Sequence, residues 1–205
     1  MRYVIYGAMI NIPGIYLEPG VVHNIISGNA GYTELGFYPH GSNDTAERLV
    51  GDLRKAGYAA FTNSNVMGTK AVKMLGNLGN AVAAITDGKG NREELMKLVQ
   101  AEAVRCLEAA GHPLEDTQSA KARVHEHRGK SPEEYPIRAL GSSWQSLARG
   151  QGSIEADFLN GEIVRLGRIY GVPTPYNRLL QHIANEMARN QDKPGKYTVD
   201  ELMKE

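Results

Sequence analysis

The hydrophobic pattern of the chain changes once, near Asp44, and this change restricts the fold to a mixed class. Before Asp44, aromatic and β-branched residues cluster between turn residues, which predicts short strands at residues 3–12, 21–26 and 32–38. After it, apolar residues recur at three- and four-residue spacing, which is typical of helices. The sequence therefore predicts an α+β fold that is mostly α, in three segments: a small β-sheet in residues 1–41, an all-helical domain in residues 42–190 and a loose polar tail in residues 191–205.

The predicted strands are too few and too short to form an independent core. They are therefore expected to belong to a larger sheet and to leave an edge whose backbone groups lack partners. Because unpaired strand edges associate readily, we expect this region to promote dimerisation or aggregation.

Capping residues, prolines and glycines mark where the helices begin and end. Asp44 with Glu47, and Asn91 with Glu94, have the spacing of capping boxes at two helix starts. The proline in Ser131-Pro132-Glu133-Glu134 is typical of another start. These signals predict helices at residues 44–56, 65–85, 91–110, 117–127, 131 onwards, 142–149, 153–170 and 176–190, and a short strand at residues 58–62.

Composition excludes several classes of partner. The chain has 205 residues, with 23 lysines and arginines against 23 aspartates and glutamates, so its net charge is zero and no nucleic-acid partner is expected. The single cysteine, Cys106, excludes an internal disulfide and favours a cytoplasmic protein. No apolar run reaches the roughly 18 residues of a membrane span, so no membrane partner is expected.

Residues 142–161 combine polar side chains with a backbone break. Ser142 and Ser143 begin a short helical run, which stops where Gly150 and Gly152 permit a tight turn. Two carboxylates, Glu155 and Asp157, then stand in the first turn of the next predicted helix. The break would bring the serines and acids to one corner. A purely structural role, without any functional site, would also explain these serines and acids, because serines cap helices and the helix dipole favours acids in a first turn.

A lysine and two asparagines recur at helical spacing within residues 65–85. Lys73, Asn77 and Asn80 fall at positions i, i+4 and i+7, so they share one face of a continuous helix. Asparagine and the nearby glycines are poor helix formers, so helix propensity does not account for them. A lysine beside amide groups can bind and polarise a carbonyl or carboxylate. The other interpretation is a surface lysine with asparagines that cap neighbouring loops.

Neither a metal centre nor a phosphate-binding loop is predicted. The six histidines lack the spacing of metal ligands. Gly150-Gln151-Gly152 follows a helix rather than a strand, and the residues after Gly7 break the Gly-x-Gly-x-x-Gly pattern. Neither segment is therefore expected to bind a dinucleotide.

Several segments, taken in order, resemble ketopantoate reductases (2-dehydropantoate 2-reductases). Ser142-Ser143 and Arg149-Gly150, then Glu155-Ala156-Asp157-Phe158-Leu159-Asn160-Gly161, then Gly171-Val172-Pro173-Thr174-Pro175, resemble the C-terminal domain of that family. Residues 73–81 resemble its lysine-bearing helix, and residues 17–22 resemble late strands of its N-terminal domain. The resemblance covers most of residues 7–185. It implies remnant strands of a nucleotide-binding domain in residues 1–41, followed by helices of the 6-phosphogluconate dehydrogenase C-terminal type.

The resemblance also implies roles for four residues. Lys73 would be the general acid that protonates the developing alkoxide, and Glu155 would hold Lys73 and the substrate site. Asn77 and Ser143 would bind oxygen atoms of the substrate. The family often has a further asparagine where Ala81 stands, and here Asn80, which shares the helical face of Lys73, is taken as the third substrate-binding residue. No metal is implied.

The implied function is the substrate-binding and catalytic half of an NADPH-dependent 2-ketoacid reductase, which converts 2-dehydropantoate to pantoate in pantothenate biosynthesis. NADPH would bind only when the nucleotide-binding half, whose glycine loop this sequence lacks, is supplied. The expected partners are a small 2-ketoacid and either a second copy of the chain, as a homodimer, or a separate nucleotide-binding polypeptide. The alternative is a non-catalytic binding or dimerisation module that has lost its cofactor domain.

Overall fold

A computed structural model describes residues 4–129 and 141–204 of the chain. Its elements, in chain order, are β1 (Tyr6–Asn11), β2 (Gly14–Glu18), β3 (Val21–Asn24), β4 (Tyr32–Phe37), α1 (Asp44–Lys55), β5 (Ala59–Thr62), α2 (Val66–Asn77), α3 (Gly79–Ile85), α4 (Arg92–Ala109), α5 (Thr117–His127), α6 (Ser142–Arg149), a 3-10 helix (Glu155–Asp157), α7 (Asn160–Tyr170), α8 (Pro175–Arg189) and α9 (Val199–Leu202). This content confirms the predicted α+β, mostly helical class. Within the described ranges, no helix combines the length and apolar character needed to cross a membrane.

The chain divides into two compact units, each assembled from separate stretches. The first takes the described residues of Met1–Ile15, Val22–Lys73 and His112–Glu134. The second takes those of Tyr16–Val21, Met74–Gly111 and Tyr135–Glu205. The domain boundaries predicted near residues 41 and 190 separate a remnant of one domain from a second domain and a tail, whereas the two units here are defined by packing. Those boundaries therefore stay a prediction.

A three-stranded sheet with the order β1-β4-β5 forms the centre of the first unit. Strand β4 runs antiparallel to β1 and parallel to β5. It is buried along almost its whole length, because helices cover both faces of the sheet. Apolar clusters form on the two faces: Met9, Tyr32 and Val66 on one, and Leu35, Val50 and Ala60 on the other. Strands β2 and β3 pair in a separate two-stranded sheet.

The second unit is a helical assembly in which α3 packs on α6 and α8, and α7 packs on α4 and α8. Fully buried residues of these helices form its core: Val82, Ile85, Leu95, Val99, Ile163 and Leu180. Helices α6 and α7 end at Gly150 and Gly171, whose φ angles of 66° and 71° lie in the left-handed region that favours glycine. Both ends were predicted from these glycines and are confirmed.

Two predicted helices have different boundaries in the structure. The helix expected from residue 65 to 85 is divided at Leu78 into α2 and α3. The first residue of α3, Gly79, packs closely on α4: a β-carbon there would lie 3.2 Å from the sulfur of Met96. This close contact favours glycine at the position. The helix expected from residue 153 is a 3-10 turn followed by α7, and Phe158 between them is 81% exposed although its spacing predicted a core position.

The tail predicted to be loose is packed against the second unit. The N–H groups of Gly195 and Tyr197 donate to the carbonyl oxygens of Ala84 and Ile85, each at 3.0 Å. Helix α9 then begins with a capping box between Thr198 and Glu201, and both Val199 and Leu202 are buried. The prediction was wrong because a polar, proline- and glycine-containing segment was taken as unstructured although it contains its own helix start.

Two smaller predictions concern helix starts. The side chain that caps α1 is Asn43, which accepts the Ala46 N–H at 3.0 Å, rather than Asp44. The predicted start at Ser131-Pro132-Glu133-Glu134 lies outside the described residues.

Candidate functional site

The serine pair and the first acid meet at the start of α6. Ser142 is the first residue of α6 and is exposed, and its hydroxyl donates to Oε2 of Glu155 at 2.8 Å. Glu155 reaches this position because the chain turns back at Gly150 and then enters the 3-10 helix. The glycine break therefore brings one hydroxyl and one carboxylate to an exposed corner. The sequence predicted that both serines and both acids would meet there, but Ser143 is buried and Asp157 binds α8.

Ser143 has a different environment from its neighbour. Its side chain is completely buried, and its hydroxyl has no hydrogen-bond partner among the residues that the structure describes. Its role in substrate binding stays a prediction. The exposed serine beside Glu155 is Ser142, which the sequence did not select because the spacing of two adjacent serines does not reveal which one faces solvent.

Helix α6 is fixed by contacts from Tyr16 on strand β2. The buried amide oxygen of Gln145 accepts the N–H of Tyr16 at 2.8 Å. The guanidinium of Arg149 donates to the Tyr16 carbonyl and lies 5.0 Å from the centre of the tyrosine ring. These contacts set the orientation of α6 and hence the direction of Ser142 at its N-terminus.

Asn80 contributes an amide near the same corner. It is the second residue of α3, which packs on α6, and it is half-buried. A β-carbon at Gly141 would lie 3.9 Å from Oδ1 of Asn80, so this amide is close to the residue that precedes Ser142. Asn80, Ser142 and Glu155 thus belong to one region of the second unit.

Lys73 and Asn77 lie one helical turn apart on α2, and both are half-buried. In the first unit, the ammonium group of Lys73 donates to the carbonyl oxygen of Ile10 on β1. Asn77 is the last residue of α2. Because α2 ends there, Asn80 begins a second helix instead of continuing the predicted face.

Asp157 has a structural role in the second unit. Its Oδ1 accepts hydrogen bonds from the amides of Gln181 and Asn185 on α8, each at 2.7 Å. These bonds hold the pKa of the Asp157 carboxyl below its usual range, with the bond from Gln181 contributing most. The carboxylate therefore fastens the 3-10 helix to α8.

The two glycine segments at Gly7 and at residues 150–152 do not form a cradle for a dinucleotide diphosphate. A β-carbon at Gly7 would lie 2.9 Å from Val66 and 3.2 Å from Met67, so packing against α2 fills the space beside Gly7. Gly150 and Gly152 lead into a three-residue 3-10 helix, which lacks the row of free N–H groups that binds phosphate at an α-helix start. NADPH does not fit these residues by themselves.

Comparison with known proteins identifies the family. A family model described as the C-terminal part of ketopantoate reductase, PanE/ApbA, matches residues 65–188, which is more than half of the chain. The chain belongs to this family. It is 27% identical over 169 residues to a 2-dehydropantoate 2-reductase of Pyrococcus horikoshii, and the match covers 80% of this chain and 53% of that protein.

The chain is also similar to solved structures of oxidoreductases. A PanE/ApbA family ketopantoate reductase from Ralstonia eutropha JMP134 is 25% identical with a TM-score of 0.64, covering 91% of this chain and 60% of that one. D-mandelate dehydrogenase, solved with NADH and anilino(oxo)acetate, has a TM-score of 0.68 and 23% identity, with 91% of this chain and 60% of that one covered. The second similarity concerns the fold alone. The chain spans between about half and three-fifths of the length of these oxidoreductases.

Proposed function

We propose that this chain is the substrate-binding and catalytic half of an NADPH-dependent 2-ketoacid reductase that reduces 2-dehydropantoate to pantoate. The observation that carries the proposal is the exposed Ser142–Glu155 pair beside Asn80, built on two packed helices of a ketopantoate reductase family domain. A 2-ketoacid presents a carboxylate and a ketone oxygen, and both accept hydrogen bonds. Amide, hydroxyl and ammonium groups are the donors that such a substrate requires.

In this proposal each predicted site residue has a separate task. Lys73 supplies the proton that the ketone oxygen needs as it becomes a hydroxyl, because an ammonium group can both attract and protonate a developing alkoxide. Asn77, Asn80 and Ser143 bind the substrate oxygens. Glu155, whose carboxylate accepts the Ser142 hydroxyl at 2.8 Å, helps to hold Lys73 and the substrate site.

The cofactor and the assembly belong to the same proposal. NADPH requires a second nucleotide-binding segment, because the glycine segments at Gly7 and at residues 150–152 do not cradle its diphosphate. That segment comes from a separate polypeptide or from a homodimeric arrangement, and the reaction takes place in the cytoplasm.

Replacement of Lys73 tests the proposal. The chain is fused to the part of the Pyrococcus horikoshii relative that lies outside the match, and oxidation of NADPH by 2-dehydropantoate is followed. Lys73→Ala should lower the single-turnover rate by about 10²–10⁴-fold, the usual contribution of general acid catalysis. Lys73→Arg should not restore it, because a guanidinium remains protonated near neutral pH. Lys70→Ala is the matched control, since Lys70 is an exposed lysine on the same helix.

Glu155→Gln separates positioning from proton transfer. It should reduce the rate less than Lys73→Ala, and the double mutant should lose less than the product of the two effects, because both residues serve one reaction. A Lys73→Ala enzyme that retains the rate of the Lys70→Ala control would contradict the proposed acid. A fused chain that folds and binds NADPH but never turns over would favour the non-catalytic module.

A further inference from the structure

Three donor side chains from other helices bind the junction between α2 and α3. They reach carbonyl oxygens that lie within five consecutive residues of the second unit: Gln100 to Leu75 at 3.1 Å, Asn160 to Leu78 at 3.5 Å, and Arg92 to Gly79 at 3.5 Å. Gln100 and Arg92 lie on α4, and Asn160 is the first residue of α7. The junction carries Asn77 on one side of Leu78 and Asn80 on the other.

Asn160 is the buried member of this group, and its orientation is determined by a chain of hydrogen bonds. Its Nδ2 also donates to Oδ1 of Asn177 at 3.1 Å, and both asparagines are completely buried. Asn177 must present its oxygen to Asn160, because its own Nδ2 donates to Glu102 at 2.7 Å and to the Val99 carbonyl at 3.0 Å. The NH2 group of Asn160 is thereby directed at Asn177 and at the carbonyl of Leu78.

Glu102 anchors this chain at its far end. The carboxylate is 2% exposed and accepts the backbone N–H groups of Tyr176 and Asn177, each at 3.0 Å, at the first turn of α8. A carboxylate at a helix start interacts favourably with the helix dipole. The network therefore extends from the first turn of α8, through two amides, to the junction between α2 and α3.

The other half of the Asn160 amide is unsatisfied. Its Oδ1 is buried and has no hydrogen-bond partner among residues 4–129 and 141–204. A buried acceptor without a partner costs about 1–3 kcal/mol, so the oxygen of this amide does not stabilise the fold. The donor half of the amide therefore accounts for the presence of an asparagine here.

We infer that Asn160 is a positioning residue that holds the junction at Leu78 and so sets the directions of Asn77 and Asn80. The inference deepens the proposed function and rests on it, since these two amides are the proposed substrate donors. Loss of the Asn160 amide frees the Leu78 carbonyl and allows α2 and α3 to adjust at their break. The two asparagines then lose their fixed relation to one another.

Side-chain amide resonances of Asn77 and Asn80 test the inference without any ligand. In NMR spectra of the chain, these resonances are assigned by their disappearance in Asn77→Asp and Asn80→Asp. Asn160→Ser should shift both of them. Ile163→Ala removes a buried side chain one turn further along α7 that makes no polar contact with the junction, and it should leave both resonances in place.

The wild-type chain and its ligand affinity give two further readouts. The side-chain NH2 of Asn160 should exchange with solvent much more slowly than that of Asn190, which is exposed. The affinity for 2-dehydropantoate, measured by titration, should fall by about two- to tenfold in Asn160→Ser, the effect of one misplaced hydrogen bond, and remain unchanged in Ile163→Ala.

Unchanged Asn77 and Asn80 resonances in a folded Asn160→Ser chain would overturn the inference. Equal shifts in Ile163→Ala would also overturn it. So would fast exchange of the Asn160 NH2 in the wild type, and this measurement does not require any variant to fold. Failure of the wild-type chain to bind 2-dehydropantoate would instead count against the proposed function, while the resonance shifts would still decide the role of Asn160.

Discussion

Arg123 joins two carboxylates inside the first unit. Its guanidinium donates to both oxygens of Glu115, at 2.6 and 2.9 Å, and lies 3.3 Å from Oε1 of Glu34, which is 1% exposed. Arg123→Met keeps the apolar part of the side chain but leaves the two carboxylates without their cation. We expect the free energy of unfolding to fall by about 3 kcal/mol, the lower end for a broken buried pair because Arg123 is partly exposed.

Urea denaturation measures this loss, and a surface pair provides the control. Arg165→Met breaks the bidentate contact with Glu162, which lies on the exposed side of α7. Such exposed pairs contribute only about 0–1 kcal/mol, so this variant should remain close to the wild type. Equal losses in the two variants would show that the Arg123 cluster contributes no more than a surface ion pair.

The Arg123 cluster also predicts how stability depends on pH. Hydrogen bonds from Arg123 are the main reason why the pKa of Glu115 lies below its ordinary value of 4.5. Because the folded pKa is depressed, the stabilisation is present above the unfolded value and is lost as pH falls through the lower folded value. The difference in unfolding free energy between wild type and Arg123→Met should therefore be constant near neutral pH and shrink below about pH 4.5. A difference that stays constant into this acid range would contradict the assignment.

The sequence predicted the ends of helices better than their internal breaks. Gly150 and Gly171 end α6 and α7 because the left-handed backbone is a local requirement that glycine satisfies. The break at Leu78 and the 3-10 turn before α7 are contacted by residues distant in sequence: Asn160 donates to the Leu78 carbonyl, and Gln181 of α8 donates to Asp157. Apolar spacing carries no information about such contacts, so the predicted helices continued through both breaks.

In the candidate site, too, the sequence predicted short-range contacts but not long-range ones. The glycine break was sufficient to predict that a serine and Glu155 would meet, because only 13 residues separate them. The contact between Lys73 and the Ile10 carbonyl joins residues 63 positions apart, and no sequence spacing predicts it. The tail was misjudged for a related reason, since its burial depends on backbone groups at the end of α3.

A pair of substitutions tests the corrected start of α7. Phe158 precedes the helix and is 81% exposed, whereas Ile163 is completely buried within it. Phe158→Ala should change the free energy of unfolding by no more than about 0.5 kcal/mol. Ile163→Ala should lower it by about 2–5 kcal/mol, because it leaves a cavity in the core. If chemical denaturation showed a large loss of unfolding free energy for Phe158→Ala, Phe158 would occupy the core position that its spacing predicted, and the corrected start of α7 would be wrong.

The first unit has apolar side chains exposed beside the edge of its sheet. Strand β1 is the terminal strand in the order β1-β4-β5, and Ile5 and Ile12 at its two ends are both exposed. An open edge flanked by apolar residues is a template for strand pairing with another chain. We therefore expect the isolated chain to associate through β1 as its concentration increases.

Light scattering over a wide concentration range measures this association, and lysines placed at the edge should suppress it. Ile5→Lys with Ile12→Lys adds two charges beside β1 without removing buried contacts, and charged edges oppose strand pairing. Phe158→Lys with Tyr170→Lys adds the same charge at exposed positions of the second unit and should leave the association unchanged. A wild-type chain that remains a monodisperse monomer at high concentration would contradict the prediction, and equal suppression by the two double variants would assign the effect to net charge instead of the β1 edge.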